Sequence, residues 1–70
     1  MKHIFFVQDI NMGENHLYYV ECNNEDEAKK EFMKKYLPFV SDLDWMEFCE
    51  GLDKGFSIII DYVGTELEKL

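Results

Sequence analysis

The apolar residues of this 70-residue chain change their spacing twice, from the pattern of a strand to the pattern of a helix and back. His3 to Ile10 predicts a first strand, because its apolar residues are β-branched or aromatic. Leu17 to Cys22 predicts a second strand after a turn around Gly13, and Phe56 to Val63 predicts a third. Gly64 is expected to close the third strand, and Thr65 to Leu70 to be a frayed tail or one last helical turn. A chain with strands at both ends and helices in the middle favours a small sheet covered by helices.

A capping box predicts where the first helix begins. Asn24 and Glu27 have the spacing at which the Asn side chain accepts from the backbone N–H three residues on. Pro38 predicts the end of the helix at Tyr36 or Leu37. The core-facing residues of this helix recur at helical spacing: Ala28, Phe32, Met33, Tyr36 and Leu37.

A second helix is predicted between Ser41 and Asp53. Ser41 and Asp44 form its capping pattern, and Gly51 or Gly55 is the expected left-handed residue at its end. Its core face comprises Trp45, Phe48, Cys49 and Leu52. We expect Trp45 to be the wedge between the two helices and the sheet.

These elements predict a single α+β domain over residues 1–70, in the order β-β-α-α-β. The sheet has three strands, antiparallel or mixed, and both helices lie on one of its faces. The first strand is apolar on both sides, which favours a central position and the spatial order 2-1-3. The order 1-2-3 is the alternative.

The charge of the chain is strongly negative and unevenly distributed. Fifteen acidic residues against seven lysines, with no arginine, give a net charge of -8, which disfavours direct nucleic-acid binding. Residues 36–53 carry five acids and no lysine, and therefore supply -5 of this charge. On a helical projection these acids lie opposite the core face, and we call them the acidic face: Asp42, Asp44, Glu47, Glu50 and Asp53.

Two interpretations of the acidic face are open. It can be a solvated surface that keeps a small protein soluble. It can also complement a basic patch on a partner, since acids three residues apart rise about 4.5 Å along a helix, comparable to the ~3.4 Å axial repeat of phosphates on one DNA strand. The lysines of the first helix, in contrast, stand where they neutralise acids.

The sequence contains no pattern typical of a catalytic or metal site. His3 and His16 are the only histidines, and with Cys22 and Cys49 they show none of the short paired spacings of zinc sites or nucleophile pairs. Asp42, with its neighbouring acids, lacks the twelve-residue loop of an EF-hand. We therefore expect a protein that is not an enzyme and needs no metal or cofactor.

The N-terminal residues do not resemble an export signal. Only four apolar residues, Ile4 to Val7, follow Met1-Lys2-His3, whereas a signal peptide needs an apolar stretch of about 7 to 15. No stretch approaches the ~20 apolar residues of a membrane span. We expect a cytoplasmic protein whose Cys22 and Cys49 are buried, reduced thiols.

The sheet is expected to have one uncovered face. Tyr18 and Tyr19 are adjacent on a strand and therefore point to opposite sides. On the uncovered side, Ile4, Phe6 and Ile10, or alternatively Phe5 and Val7, would form an exposed apolar strip. Such a strip predicts a homodimer or another partner on this face.

A short, acidic chain that uses only lysine as its basic residue and folds around one α+β core resembles the small accessory proteins of bacteriophages. The residues that carry the resemblance are those of the acidic face. In composition the chain is similar to anti-defence inhibitors, including anti-CRISPR and DNA-mimic proteins. That resemblance implies a non-enzymatic protein, located in the host cytoplasm, that engages a basic, nucleic-acid-binding surface of a partner protein. The alternative is a structural or regulatory homodimer whose acidic face is only solvated.

Overall fold

The computed structural model of the chain describes residues 1–38 and 43–65. Three strands and two helices follow one another in the predicted order β-β-α-α-β. Their bounds are β1 Lys2–Asp9, β2 Glu14–Glu21, α1 Glu25–Tyr36, α2 Trp45–Phe56 and β3 Ile58–Thr65.

The three strands form one sheet in the order β2-β1-β3, and β1 is antiparallel to both neighbours. The predicted α+β class and the order 2-1-3 are therefore confirmed, and the alternative order 1-2-3 is wrong. The central position of β1 explains why it is apolar on both sides. Phe5 and Val7 point to the helices and are buried, while Ile4, on the opposite side, is only 8% exposed.

The predicted strand bounds need correction at the turn between β1 and β2. β1 ends at Asp9, whose carboxylate accepts a hydrogen bond from the backbone N–H of Met12 at 3.1 Å, so Ile10 lies in the turn. Gly13 has a φ of 67°, and its left-handed conformation lets β2 begin at Glu14, three residues before the predicted Leu17. The β1–β2 register pairs Asp9 with Glu14 across this turn.

The third strand begins and ends later than predicted. It starts at Ile58 because α2 continues to Phe56, and Ser57 takes the left-handed conformation between them. Gly64 was expected to close the strand, but it pairs with Ile4 inside it. The register shifts here by one residue, and Gly64 has a φ of 133°, which glycine adopts without strain. Thr65, expected to begin the tail or a last helical turn, is instead the last residue of β3, and residues 66–70 lie outside the described residues.

The first helix forms as predicted. The side chain of Asn24 accepts a hydrogen bond from the backbone N–H of Glu27 at 2.9 Å, which satisfies one of the free donors of the first turn. The helix ends at Tyr36, two residues before Pro38. Its predicted core stripe is confirmed: Ala28, Phe32 and Met33 are buried, and Tyr36 and Leu37 are partly buried against the core.

The second helix starts later than the sequence predicted. Asp44 is its N-cap, and the Asp44 side chain accepts from the backbone N–H of Glu47 at 2.8 Å. The expected capping residue Ser41 lies outside the described residues. Gly51 and Gly55 do not end the helix, because both lie within it.

The core lies between the sheet and the two helices, which cover one face of it. Phe5 is fully buried on the central strand, and its ring centroid lies 4.5 Å from Phe32 of α1 and 5.5 Å from Trp45 of α2. Trp45 is on the predicted face but is only partly buried. The residue that contacts both helices from inside the core is therefore Phe5, and the expectation that Trp45 is the wedge is only partly met. Neither of the described helices is long and apolar enough to cross a membrane.

Candidate partner-binding surfaces

The acidic face is held in position by the residues on the other side of α2. Phe48 and Leu52 are 2% and 3% exposed, and their burial fixes the rotation of the helix about its axis. With a turn of 100° per residue, Glu47 and Glu50 then point almost directly away from the core. Asp44 and Asp53 lie on the two flanks, so the four carboxylates cross the helix diagonally over about 13.5 Å.

All four of these carboxylate side chains are exposed. Asp42, the fifth predicted member of the acidic face, lies outside the described residues. Within the described ranges, none of the four forms a salt bridge, and Lys54 is the basic residue of the last turn of α2. The negative charge predicted for this helix is therefore directed to solvent.

The carboxylates of the acidic face repel one another. A side-chain hydrogen bond with Asp44 raises the pKa of Glu47, and the negative charges of Asp44 and Glu50 raise it further. A cation brought close to these groups would relieve this repulsion.

The exposed side of α1 differs because its acids face lysines. Lys29 contacts Glu25 at 2.6 Å, and Lys34 lies 3.6 Å from Glu31. A groove of about 400 Å³ between α1 and β2 contains both signs of charge, from Glu21, Glu27, Glu31, Lys30, Lys34 and Lys35. Neither sign dominates there, so this groove offers no comparable charge for selecting a partner.

The second exposed surface is the side of the sheet away from the helices. The structure decides between the two predicted apolar strips: Ile4 and Phe6 lie on this side, while Phe5 and Val7 belong to the core. As predicted, the adjacent tyrosines diverge. Tyr18 contacts Phe32 in an edge-on arrangement, and Tyr19 is 55% exposed on the uncovered side. We call this surface the open sheet face, and its apolar members are Ile4, Phe6, Leu17, Tyr19 and Ile59.

Two members of the open sheet face, Leu17 and Ile59, were not singled out in the sequence. Leu17 pairs with Phe6 and is 55% exposed, and Ile59 pairs with Gln8. The register of the two ladders assigns them to this side. In the sequence, the alternation of Asn15, Leu17 and Tyr19 carried that signal once the start of β2 is placed at Glu14.

The two histidines already have partners inside the chain. His3 is buried, and its Nε2 donates to the carbonyl oxygen of Cys22 at 3.2 Å. Its Nδ1 lies 2.8 Å from the hydroxyl oxygen of Tyr62. His16 is exposed and lies 3.4 Å from a carboxylate oxygen of Glu14. In residues 1–38 and 43–65 there is no group of three or more metal-ligating side chains.

Cys22 and Cys49 are free thiols, as expected, but they are half-buried rather than fully buried. Burial raises the pKa of Cys49 to about 11, although Lys29 acts in the opposite direction. A thiol with this pKa is almost entirely protonated at neutral pH, so Cys49 has the properties of a packing residue rather than of a nucleophile.

No known protein family, curated protein or solved structure matches this chain. The two exposed surfaces, one acidic and one apolar, are therefore the features from which a function can be argued.

Proposed function

We propose that the protein is a non-enzymatic binding protein that engages a basic surface of a partner protein through its acidic face. The observation that carries the proposal is the set of four exposed carboxylates on α2, which form no salt bridge with any other described residue. A surface that only needed to be soluble would be served equally well by the balanced charges of α1.

The rigidity of α2 supports binding rather than solvation alone. Its buried side is anchored by Phe48 and Leu52, and both helix ends are hydrogen-bonded through Asp44 and Ser57. The backbone positions that carry the carboxylates are therefore fixed, so only the side chains themselves lose conformational freedom when a partner orders them. Such a charged surface increases the rate of association with an oppositely charged one, and salt reduces this effect.

The partner class that we propose is a protein whose basic surface binds nucleic acid. The acids along α2 rise about 4.5 Å per step, close to the spacing of phosphates along a DNA strand, so they can occupy positions that phosphates would take. The compositional resemblance to anti-CRISPR and DNA-mimic proteins points to the same class. We place this activity in the host cytoplasm. There the protein, encoded by a phage, inhibits a defence protein of the host.

The test compares two variants with the same net charge. In the first, Glu47→Gln, Glu50→Gln and Asp53→Asn neutralise the acidic face while keeping the Asp44 cap. In the second, Glu14→Gln, Asp26→Asn and Glu27→Gln neutralise three exposed acids elsewhere. Each variant removes three of the fifteen acidic charges and changes the net charge from -8 to -5. The tagged proteins are used to capture partners from a bacterial lysate at low and high salt.

We expect the wild type and the second variant to capture the same basic proteins at low salt, and the first variant to capture at least about tenfold less. Double-stranded DNA added as a competitor should release these proteins from the wild type. Equal capture by both variants would show that the acidic face is only solvated. Capture that DNA does not compete would exclude a nucleic-acid-binding surface as the target.

A further inference from the structure

Within residues 1–38 and 43–65, no element covers the open sheet face, whereas two helices cover the other side of the same sheet. On the core side, two helices of 12 residues each bury Phe5, Val7 and Ile60. On the open side, Leu17 and Tyr19 are each 55% exposed. Exposed apolar patches of this kind on small proteins mark surfaces that bind another protein.

The apolar residues of this face form one continuous patch across the sheet. Ile4 pairs with Tyr19 and Phe6 pairs with Leu17, so their side chains are neighbours on the same side of β1 and β2. On β3, Ile59 pairs with Gln8 and extends the patch to the third strand. A flat patch formed by strands is complementary in shape to a second sheet, as in the packing of two sheets in β-sandwiches.

The charge of this face permits a second copy of the same chain. Its ionisable side chains are Lys2, Glu21 and Asp61, and the amino group of Met1 contacts Glu21 at 2.6 Å. Positive and negative groups are therefore balanced here, although the whole chain carries -8. Asp61 lies on the edge strand β3 and is exposed, so its carboxylate can remain hydrated at the rim of an interface.

The excess negative charge lies on the opposite side of the molecule. The protein is only 16 Å thick along its shortest axis, with the sheet as one layer and the helices as the other. Two copies packed sheet to sheet at ~10 Å, with each helix layer another ~10 Å outside, would hold their acidic faces about 30 Å apart. Because the screening length at physiological salt is ~8 Å, these faces would repel each other only weakly.

The area of the face sets the strength of such a dimer. Three strands at ~4.8 Å spacing and eight residues at ~3.3 Å rise give a face of about 15 by 26 Å, or about 400 Å². Stable interfaces bury about 800 Å² on each partner, so this one falls in the class of weak, reversible complexes.

We propose that the open sheet face binds a second copy of the chain face to face, forming a reversible homodimer that directs both acidic faces outward. The interface is isologous, since the same residues of each copy contribute to it. The inference does not depend on the acidic face having a partner. If it has one, the dimer presents two binding surfaces and increases the apparent affinity for a partner with two basic sites.

The test is sedimentation velocity over protein concentrations from about 1 μM to about 1 mM, which spans the range of weak dimers. Leu17→Glu puts a charge into the proposed interface on β2, and Tyr19→Lys does the same with the opposite sign. Met46→Glu is the matched control, because Met46 is 70% exposed on α2, on the other side of the molecule. Circular dichroism of each variant confirms that it is folded.

We expect the mass of the wild type and of Met46→Glu to rise with concentration from 8.4 kDa toward twice that value. Both sheet variants should remain at 8.4 kDa over the whole range, whichever sign of charge was added. The proposal is overturned if the wild type stays monomeric at the highest concentration, or if a folded sheet variant dimerises as strongly as the wild type. A dimer lost in Met46→Glu but kept in Leu17→Glu would place the interface on the helices instead.

Discussion

The two helices of this protein are alike in everything that folding requires and differ in what they present to solvent. Each has 12 residues, each is capped by a side chain that accepts from the backbone N–H three residues on, and both bury aromatic residues against one sheet. α1 nevertheless carries four acids and four lysines, whereas α2 carries three acids and one lysine, with the Asp44 carboxylate in addition.

The comparison of α1 with α2 indicates that folding does not require the acidic face. The core on the buried side of α2 would be the same with lysines on its exposed side, because Glu47, Glu50 and Asp53 are exposed and lie outside the core. α1 shows that the same sheet accepts a helix with paired charges. The fold therefore does not depend on the unpaired charge of α2.

The greatest loss of stability is expected for a substitution in the part of the core that both helices share. The Phe32 ring of α1 lies 4.5 Å from Phe5 and 6.4 Å from Phe48 of α2, so it joins both helices to the sheet. Phe32→Ala should cost about 3 to 5 kcal/mol, out of roughly 3.5 to 10 kcal/mol expected for 70 residues. We expect the variant to be largely unfolded by near-UV circular dichroism at room temperature.

Phe56→Ala is the control for this substitution. Phe56 is the last residue of α2 and is 59% exposed, so the same chemical change should leave the protein folded. If both variants melt at similar temperatures, Phe32 does not join the helices in the way that the ring distances indicate.

A smaller loss of stability is expected at Trp45. Its ring contacts Phe5 and Phe48, and the ammonium group of Lys29 lies 5.4 Å from its centroid, but the side chain is only partly buried. Trp45→Ala should therefore cost about 2 to 3 kcal/mol, less than Phe32→Ala. Urea denaturation of the two variants gives the order, and a larger loss for Trp45→Ala would restore it as the wedge of the core.

The sequence was sufficient for the fold because its strongest patterns belong to the core. The two-sided apolar residues of β1 predicted the central strand, and the spacing of Ala28, Phe32 and Met33 predicted the buried side of α1. The element ends were less well predicted, because they depend on single hydrogen bonds and left-handed residues. Ser57, for example, takes the left-handed position that ends α2. Gly51 and Gly55, which adopt that conformation more easily, lie inside the helix.

The candidate site was predicted in part for the same reason. The apolar spacing identified the core side of α2 correctly, and it therefore also predicted which acids are exposed: Asp44, Glu47, Glu50 and Asp53. Asp44 was placed in a capping pattern that begins at Ser41, whereas in the structure the side chain of Asp44 itself caps α2. Leu17 was missed because its side of the sheet follows from the hairpin register, and the start of β2 was placed three residues too late.

The thiol of Cys49 tests whether α2 stays packed against the core. The pKa of Cys49, about 11, lowers its thiolate fraction about a hundredfold relative to a thiol with the ordinary pKa of 9.0. A more basic thiolate is also a better nucleophile, which offsets part of the resulting loss in alkylation rate. We expect alkylation of Cys49 by iodoacetamide at least about tenfold slower in the folded protein than in urea, and faster as pH rises toward 11. The measurement is mass spectrometry of the alkylated peptides over time. Equal rates in the two states would mean that α2 opens readily.

The caps allow the structural role of Asp44 to be separated from its charge. Asn24→Ala and Asp44→Ala should each destabilise the protein by about 1 kcal/mol, because each leaves a backbone N–H of the first turn without its acceptor. Asp44→Asn should keep the stability of the wild type, since asparagine caps a helix as well as aspartate does. Thermal unfolding of the three variants gives the comparison. A loss for Asp44→Asn equal to that for Asp44→Ala would mean that the charge, and not the cap, stabilises this end of α2.

The smallest effect is expected at the third position of each helix, where Glu27 and Glu47 are equivalent. The raised pKa of Glu47 means that the folded protein holds this proton more tightly than the unfolded chain does. The stability that protonated Glu47 contributes is present below the pKa of Glu47 in the unfolded chain. It is lost as pH rises through the pKa of Glu47 in the folded protein.

At about pH 7 Glu47→Gln should therefore raise the melting temperature slightly, and at about pH 3, where the carboxyl is protonated, the difference should vanish. Glu27→Gln should give no such gain, because the cap of α1 is the uncharged Asn24 and the glutamate there favours the helix dipole. A lower melting temperature for Glu47→Gln at neutral pH would show that the dipole of α2 outweighs the repulsion from Asp44 and Glu50.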